Sequence, residues 1–117
     1  MSSKPETRVR TKIIKHLRSL GGEWMVIHGG PYQAAGISDI IGCYDGRFWA
    51  FEVKTPDKWN KSGYNLSELQ TQFLMRIRKS GGVGFCVCSV KQVAWLMDSH
   101  LAYGPMGPII SKFEELV

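Results

Sequence analysis

The chain has 117 residues, of which 44% are hydrophobic and 21% are charged, and its formal net charge is +5. This length and composition predict one folded domain, residues 1–117, with a single core, and exclude a disordered chain. No apolar run approaches the ~20 residues that cross a bilayer, and the polar first residues lack a signal-peptide core. Because three cysteines are also a poor basis for a disulfide scaffold, we expect a cytoplasmic protein with no membrane partner.

The first predicted element is a helix over about residues 4–20. Apolar residues recur there at helical spacing with basic residues between them. Ser3 and Glu6 have the spacing of a capping box, and the Gly21-Gly22 pair ends the helix.

Three strands follow, and the last two form a β-hairpin. Segment 23–28 is short, apolar and bounded by glycines, which is typical of a strand. Between segments 39–44 and 47–54 lies Asp45-Gly46, the dipeptide typical of a two-residue type I′ turn. Both hairpin strands are apolar on both faces, so we expect them at the centre of the sheet.

The second half of the chain predicts a polar loop at about residues 55–65 and a helix at about 66–80, ended by a glycine pair. A strand at about 83–88 and a third helix from 89 onward follow. Ser67 with Gln70, and Ser89 with Gln92, have capping-box spacing at the two helix starts. The chain from Gly104 onward shows no clear pattern. The predicted order is αβββαβα, an α/β fold with a central mixed sheet flanked by helices.

The hairpin places two acids opposite each other. With the turn at 45–46, Asp39 faces Glu52 across the strands, and strand alternation puts Lys54 on the same face as Glu52. Opposed like charges are destabilising. A Mg²⁺ ion would resolve this conflict, since it prefers oxygen ligands and could also take the Val53 carbonyl. The alternative is a structural ion pair in which Lys54 neutralises both acids.

These residues resemble a known family. Gly36-Ile-Ser-Asp39 followed by Glu52-Val53-Lys54 is similar to the signature of the PD-(D/E)XK nucleases. The preceding basic helix and the later Ser67-x-x-Gln70 pattern resemble a stand-alone VRR-NUC domain, over roughly residues 5–90. The resemblance implies the PD-(D/E)XK nuclease fold and Mg²⁺-dependent hydrolysis of DNA, with Mn²⁺ able to substitute. Minimal phage-type members resemble Holliday-junction resolvases, which implies a homodimer that cuts four-way or other branched DNA.

The same resemblance implies roles for individual residues. The metal ligands would be Asp39, Glu52, the Val53 carbonyl and Glu6, while Lys54 would orient water or stabilise charge on the phosphate. Gln70 would position a water molecule or the phosphate. From the residues alone, helix capping is the favoured explanation of both Glu6 and Gln70, and the resemblance is what favours their catalytic roles.

The excess of basic residues favours a polyanionic partner such as nucleic acid, although a solvated helix face has the same pattern. The candidate phosphate contacts are Arg8, Lys12, Lys15, Lys58, Lys61, Arg76 and Lys79. Trp59 and Tyr64, in the same loop as Lys58 and Lys61, could stack on unpaired bases or form a dimer contact. Two other functions stay open: a non-catalytic nucleic-acid-binding module, and a nuclease that acts on linear duplex.

Overall fold

The computed structural model describes residues 4–29, 35–59 and 66–117. The elements in these ranges are, in chain order, α1 (Pro5–Ser19), β1 (Glu23–Val26), β2 (Ile40–Tyr44), β3 (Arg47–Val53), α2 (Glu68–Lys79), β4 (Val83–Val87), α3 (Val90–Ser99) and α4 (Met106–Glu115). The first seven elements follow the predicted order αβββαβα, and α4 extends it. No helix in the described ranges is long and apolar enough to cross a membrane.

The four strands form one mixed sheet in the order β1-β2-β3-β4. The β1–β2 and β2–β3 pairs are antiparallel, and the β3–β4 pair is parallel. The predicted hairpin is confirmed as the centre of the sheet. Its turn residues Asp45 and Gly46 have φ angles of 54° and 74°, the two positive values that a type I′ turn requires.

The two faces of the sheet are covered differently. Trp49, Phe51 and Phe85 point to the core face, where buried side chains of α1, α3 and α4 pack against them. The opposite face carries small residues such as Gly84, where a Cβ would lie 3.1 Å from the side chain of Leu74 in α2. Small residues on that face therefore let α2 pack close to the sheet.

Side chains cap the outer edge of β4. Alternate residues of this strand direct their backbone groups away from β3. The Gly84 carbonyl accepts from the guanidinium of Arg78, and the Cys86 carbonyl accepts from the indole N–H of Trp59 at 2.9 Å. Directly after the strand, the Cys88 N–H donates to Oε1 of Gln92 at 2.7 Å. An edge occupied in this way is a poor template for another strand.

The start of α1 differs from the prediction. Its N-cap is Lys4, which makes no side-chain capping bond, and Pro5 opens the helix. Ser3 lies outside the described residues. The predicted Ser3–Glu6 capping box is therefore wrong, because Glu6 is the second residue of the helix rather than the third.

The end of the chain forms a helix that the sequence pattern did not reveal. In α4, Ile109 and Phe113 are buried in the core. Gln92, which is fully buried, accepts the Cys88 N–H and donates from Nε2 to the Phe113 carbonyl at 3.0 Å. Ser89 caps α3 as predicted, but Gln92 joins α3 to α4 instead of completing a capping box.

Candidate active site

The candidate site lies where the pairing of β2 with β3 ends. The observed register pairs Tyr44 with Arg47, as predicted. Its last pair is Ile40 with Phe51, so the next position places Asp39 opposite Glu52. Asp39 directly precedes β2, and its Oδ2 accepts a hydrogen bond from the Val53 N–H at 2.8 Å. The aspartate side chain thus accepts the hydrogen bond that a backbone carbonyl would accept if the β2–β3 pairing continued.

Glu52 is almost completely buried, with 2% of its surface exposed. Burial raises the pKa of Glu52 to about 9, the neighbouring Asp39 carboxylate adds to this rise, and Lys54 opposes it. Without a cation between the two acids, Glu52 therefore keeps a proton at neutral pH.

The oxygen atoms at this position are suited to a hard divalent cation. The N–H and C=O groups of one strand residue face the same neighbouring strand, so the Val53 carbonyl faces the Asp39 side of β3. Two carboxylates and a carbonyl are donors of the kind that Mg²⁺ takes, together with water and phosphate oxygens. The donor set therefore fits Mg²⁺.

Glu6 does not complete a three-acid cluster in this structure. In residues 4–29, 35–59 and 66–117, no group of three His, Cys, Asp or Glu side chains is placed to hold a metal ion. Glu6 lies one turn before Arg10 on α1, and its role as a ligand stays a prediction.

Arg10 is a site residue that the sequence did not single out. Its Nη1 lies 3.9 Å from Oδ1 of Asp39, and both side chains are about four-fifths buried. The sequence placed Arg10 only within a run of basic residues. Its contact depends on how α1 crosses the end of the sheet, which residue spacing alone does not give.

The first turn of α2 lies against the segment that carries Asp39. Gly36, at φ +89°, has no room for a Cβ because the Leu69 backbone would be 2.6 Å away. At the same helix start the predicted capping box is confirmed: Gln70 Oε1 accepts the Ser67 N–H at 2.9 Å. Capping uses the oxygen of the Gln70 amide and leaves its NH₂ group as a donor.

Cys86 is a second site residue that the sequence analysis missed. It is paired with Glu52 in the parallel register. Burial raises the pKa of the Cys86 thiol to about 12, and the Glu52 charge adds to the rise. The thiol therefore lies beside Glu52 as an uncharged group at physiological pH.

The candidate phosphate contacts fall on two sides of the sheet. Lys12, Lys15 and Arg8 are exposed on α1, and Arg76 and Lys79 are exposed on α2, which covers the opposite face. Lys58 is exposed after β3, while Lys61 and Tyr64 lie outside the described residues.

Trp59 is not an exposed stacking residue as one prediction held. Its indole N–H donates to the Cys86 carbonyl, and its ring lies 6.5 Å from that of Phe113. The partly buried indole therefore packs against the core and binds the edge of β4.

A mixed sheet with Asp39 and the Glu52-Val53-Lys54 motif at one end, and helices on both faces, defines the nuclease type of α/β fold. A solved structure described as a VRR_NUC domain is similar, with a TM-score of 0.65 and 25% sequence identity over 84% of this chain and 99% of that one. The family model described as RecU, Recombination protein U, matches residues 4–99. The chain therefore belongs to the RecU family, and the VRR-NUC nuclease domain expected from the sequence is confirmed. No curated protein matches it.

Proposed function

We propose that this chain is a Mg²⁺-dependent endonuclease that hydrolyses phosphodiester bonds in four-way or other branched DNA as a homodimer. The observation that carries the proposal is the contact between buried Glu52 and Asp39 at the end of the central strands. Opposed carboxylates reduce the stability of a sheet. A cation-binding role explains why two acids are nevertheless placed together.

Asp39, Glu52 and the Val53 carbonyl would hold the metal, with Glu6 as an outer ligand. When bound, the ion supplies Lewis-acid activation of the scissile phosphate and of a water molecule. Mn²⁺ is expected to substitute, because carboxylate, carbonyl and water ligands suit both ions.

The remaining residues act on the phosphate and on water. Lys54 lies close enough to Glu52 to lower its pKa, and its ammonium group would orient the attacking water or stabilise charge on the phosphate. The free NH₂ group of Gln70 would donate to the same water or phosphate from the start of α2. Arg10, already beside Asp39, would contribute a second cation near the phosphate.

The proposal of branched DNA and a homodimer is supported by the family, whose model is described as a recombination protein. Two sites related by a two-fold axis would face two opposed strands, which suits symmetric cutting of a four-way junction. The phosphate contacts proposed on each copy are Arg8, Lys12, Lys15, Lys58, Lys61, Arg76 and Lys79.

Cleavage of a labelled four-way junction and a linear duplex of matched sequence, with Mg²⁺ or with EDTA, tests this function. We expect Glu52→Ala and Lys54→Ala to slow junction cleavage at least about 100-fold, with junction binding within a few-fold of wild type. Lys91→Ala, which removes an exposed lysine at the start of α3, is the control. If Lys54→Ala cleaved at the wild-type rate, the site would be assigned to the wrong residues.

A further inference from the structure

The outward face of α2 carries an exposed apolar side chain surrounded by cations. Met75 is 56% exposed, as much as any large hydrophobic residue in the described ranges. It lies in a groove of about 440 Å³ that Gln72, Arg76, Arg78 and Lys79 also line. We call these five residues the α2 patch. The proposed active site uses Gln70, which faces a different side of the helix.

The charge of the α2 patch identifies the kind of partner. Its lining contains three cations and no acid. Arg78 is turned inward, where it binds the Gly84 carbonyl, while Arg76 and Lys79 are exposed. A second copy docked symmetrically on this face would bring like charges together, so self-association is disfavoured. A polyanion that also offers an apolar surface is the complementary partner.

DNA has such a surface where base stacking is interrupted. In a continuous duplex the faces of the base pairs are covered by their neighbours, whereas a branch point can expose them. Apolar side chains flanked by basic residues bind DNA in this way, by packing against a base step while the cations hold the phosphates. Met75 is unbranched and adaptable, which suits contact with a flat base.

The α2 patch is also within reach of DNA held at the proposed active site. Met75 follows Gln70 by five residues, which is about 7.5 Å along the helix axis. Lys79 is a further turn along, close to the line of Met75. Met75 is also rotated from Gln70 by about 140° around the helix axis, so a substrate whose scissile phosphate lies near Asp39 would reach the patch by crossing the outward side of α2.

We propose that the α2 patch binds the exposed face of a base pair at a DNA branch point, with Met75 against the base and with Arg76 and Lys79 on the flanking phosphates. This inference rests on the proposed function and specifies which feature of the substrate is recognised. Met75 then contributes to the preference for branched DNA over continuous duplex, while the exposed cations bind both.

Binding measured in EDTA separates recognition from cleavage. The substrates are a four-way junction with a fluorescent base analogue at the branch point and a relaxed circular duplex, which has no ends, as competitor. Met75→Ala should weaken junction binding about tenfold, reduce the change in analogue fluorescence, and alter duplex binding less than twofold. Met25→Ala is the matched control, because Met25 is also 56% exposed but lies on β1, and it should bind both DNAs like wild type.

A second variant tests the apolar contact directly. Met75→Lys keeps the length of the side chain and adds a cation, so we expect stronger duplex binding and a smaller preference for the junction. The inference is overturned if Met75→Ala matches Met25→Ala while the wild type still prefers the junction, or if Met75→Lys strengthens junction and duplex binding equally. A wild type without any preference for the junction would instead overturn the proposed function.

Discussion

Glu52 and Asp39 occupy different surroundings although they touch. Asp39 lies beside Arg10 and accepts the Val53 N–H, whereas Glu52 is buried and its pKa is raised. The folded protein without metal therefore binds a proton at Glu52 that the unfolded chain releases above about pH 4.5. Proton binding and metal binding compete for the same pair of acids.

This arrangement predicts how stability depends on pH. In EDTA, the free energy of unfolding should fall as the pH rises from about 5 to 9, because between these values the folded state binds more protons than the unfolded state. The slope cannot exceed about 1.4 kcal/mol per pH unit for one proton. Glu52→Gln should remove most of the slope, as urea unfolding across this pH range would measure.

An exposed acid provides the control for that experiment. Glu114→Gln changes the same chemical group on the surface of α4 and should keep the wild-type slope. Equal slopes for Glu52→Gln and wild type would mean that Glu52 does not hold the proton. Saturating Mg²⁺ should also flatten the wild-type profile, since it stabilises the state with both acids ionised.

At the scale of single residues, the sequence predicts the contacts that follow from the tight turn of the hairpin. Asp45 and Gly46 specify the turn, the turn specifies the register, and the register brings Asp39 to Glu52. Arg10 and Cys86 reach the site through the packing of a helix and through a parallel strand pair. Neither contact has a local sequence signal, so the sequence analysis missed both.

The start of α2 serves both stability and the proposed chemistry, and two substitutions separate these roles. Gln70→Glu keeps the oxygen that accepts the Ser67 N–H but loses the NH₂ donors. We expect its stability within about 0.5 kcal/mol of wild type and its cleavage of junctions at least about tenfold slower.

Ser67→Ala should show the opposite pattern. It removes the hydroxyl that accepts the Gln70 N–H, so it should cost about 1 kcal/mol of stability and leave cleavage near the wild-type rate. Thermal melts and cleavage rates of both variants decide the matter. If Gln70→Glu cleaved normally, Gln70 would be only a helix cap.

Gln92 connects α3, the end of β4 and α4 through two buried hydrogen bonds. Gln92→Leu keeps much of the volume but leaves the Cys88 N–H without a partner. It also removes one of the two hydrogen bonds to the Phe113 carbonyl, which keeps the bond from the Leu116 N–H. An unpaired buried N–H costs about 1–3 kcal/mol and the other lost hydrogen bond about 1 kcal/mol, so we expect a loss of about 2–4 kcal/mol in urea unfolding. Gln72→Leu on the exposed side of α2 should change stability by less than about 0.5 kcal/mol; a loss that small for Gln92→Leu would contradict the connecting role.

Elements with local signals were predicted, and those that depend on distant contacts were not. Serine caps mark the starts of α2 and α3, and a glycine pair marks the end of α2. Pro105, Gly107 and Pro108 interrupt the pattern of α4, which is held in place by burial of Phe113 rather than by its own propensity. The sequence predicted stacking on bases or a dimer contact for Trp59, and not its bond to the Cys86 carbonyl, because that partner is 27 residues away.

For the whole molecule, the sheet separates two groups of exposed cations, one on α1 and one on α2, and the candidate site lies at one end of the sheet. We predict that two copies combine these surfaces, so sedimentation at micromolar concentration should give about 26 kDa, twice the 13.2 kDa of the chain. The measurement should be repeated at high salt, where repulsion between basic copies is screened. A strict monomer that still cut both strands of a junction symmetrically would contradict the predicted homodimer.

The capped edge of β4 has a consequence for synthesis on the ribosome. Trp59 and Arg78, which pair with the two outward carbonyls of β4, both precede that strand in the chain. During synthesis from the N-terminus, the caps therefore leave the ribosome before the edge that they cover, and only Gln92 follows. We expect the edge of β4 to stay uncovered for a shorter time in nascent chains than in denatured chains that refold after dilution. In refolding at high concentration, many copies expose this edge at the same time and can pair with one another.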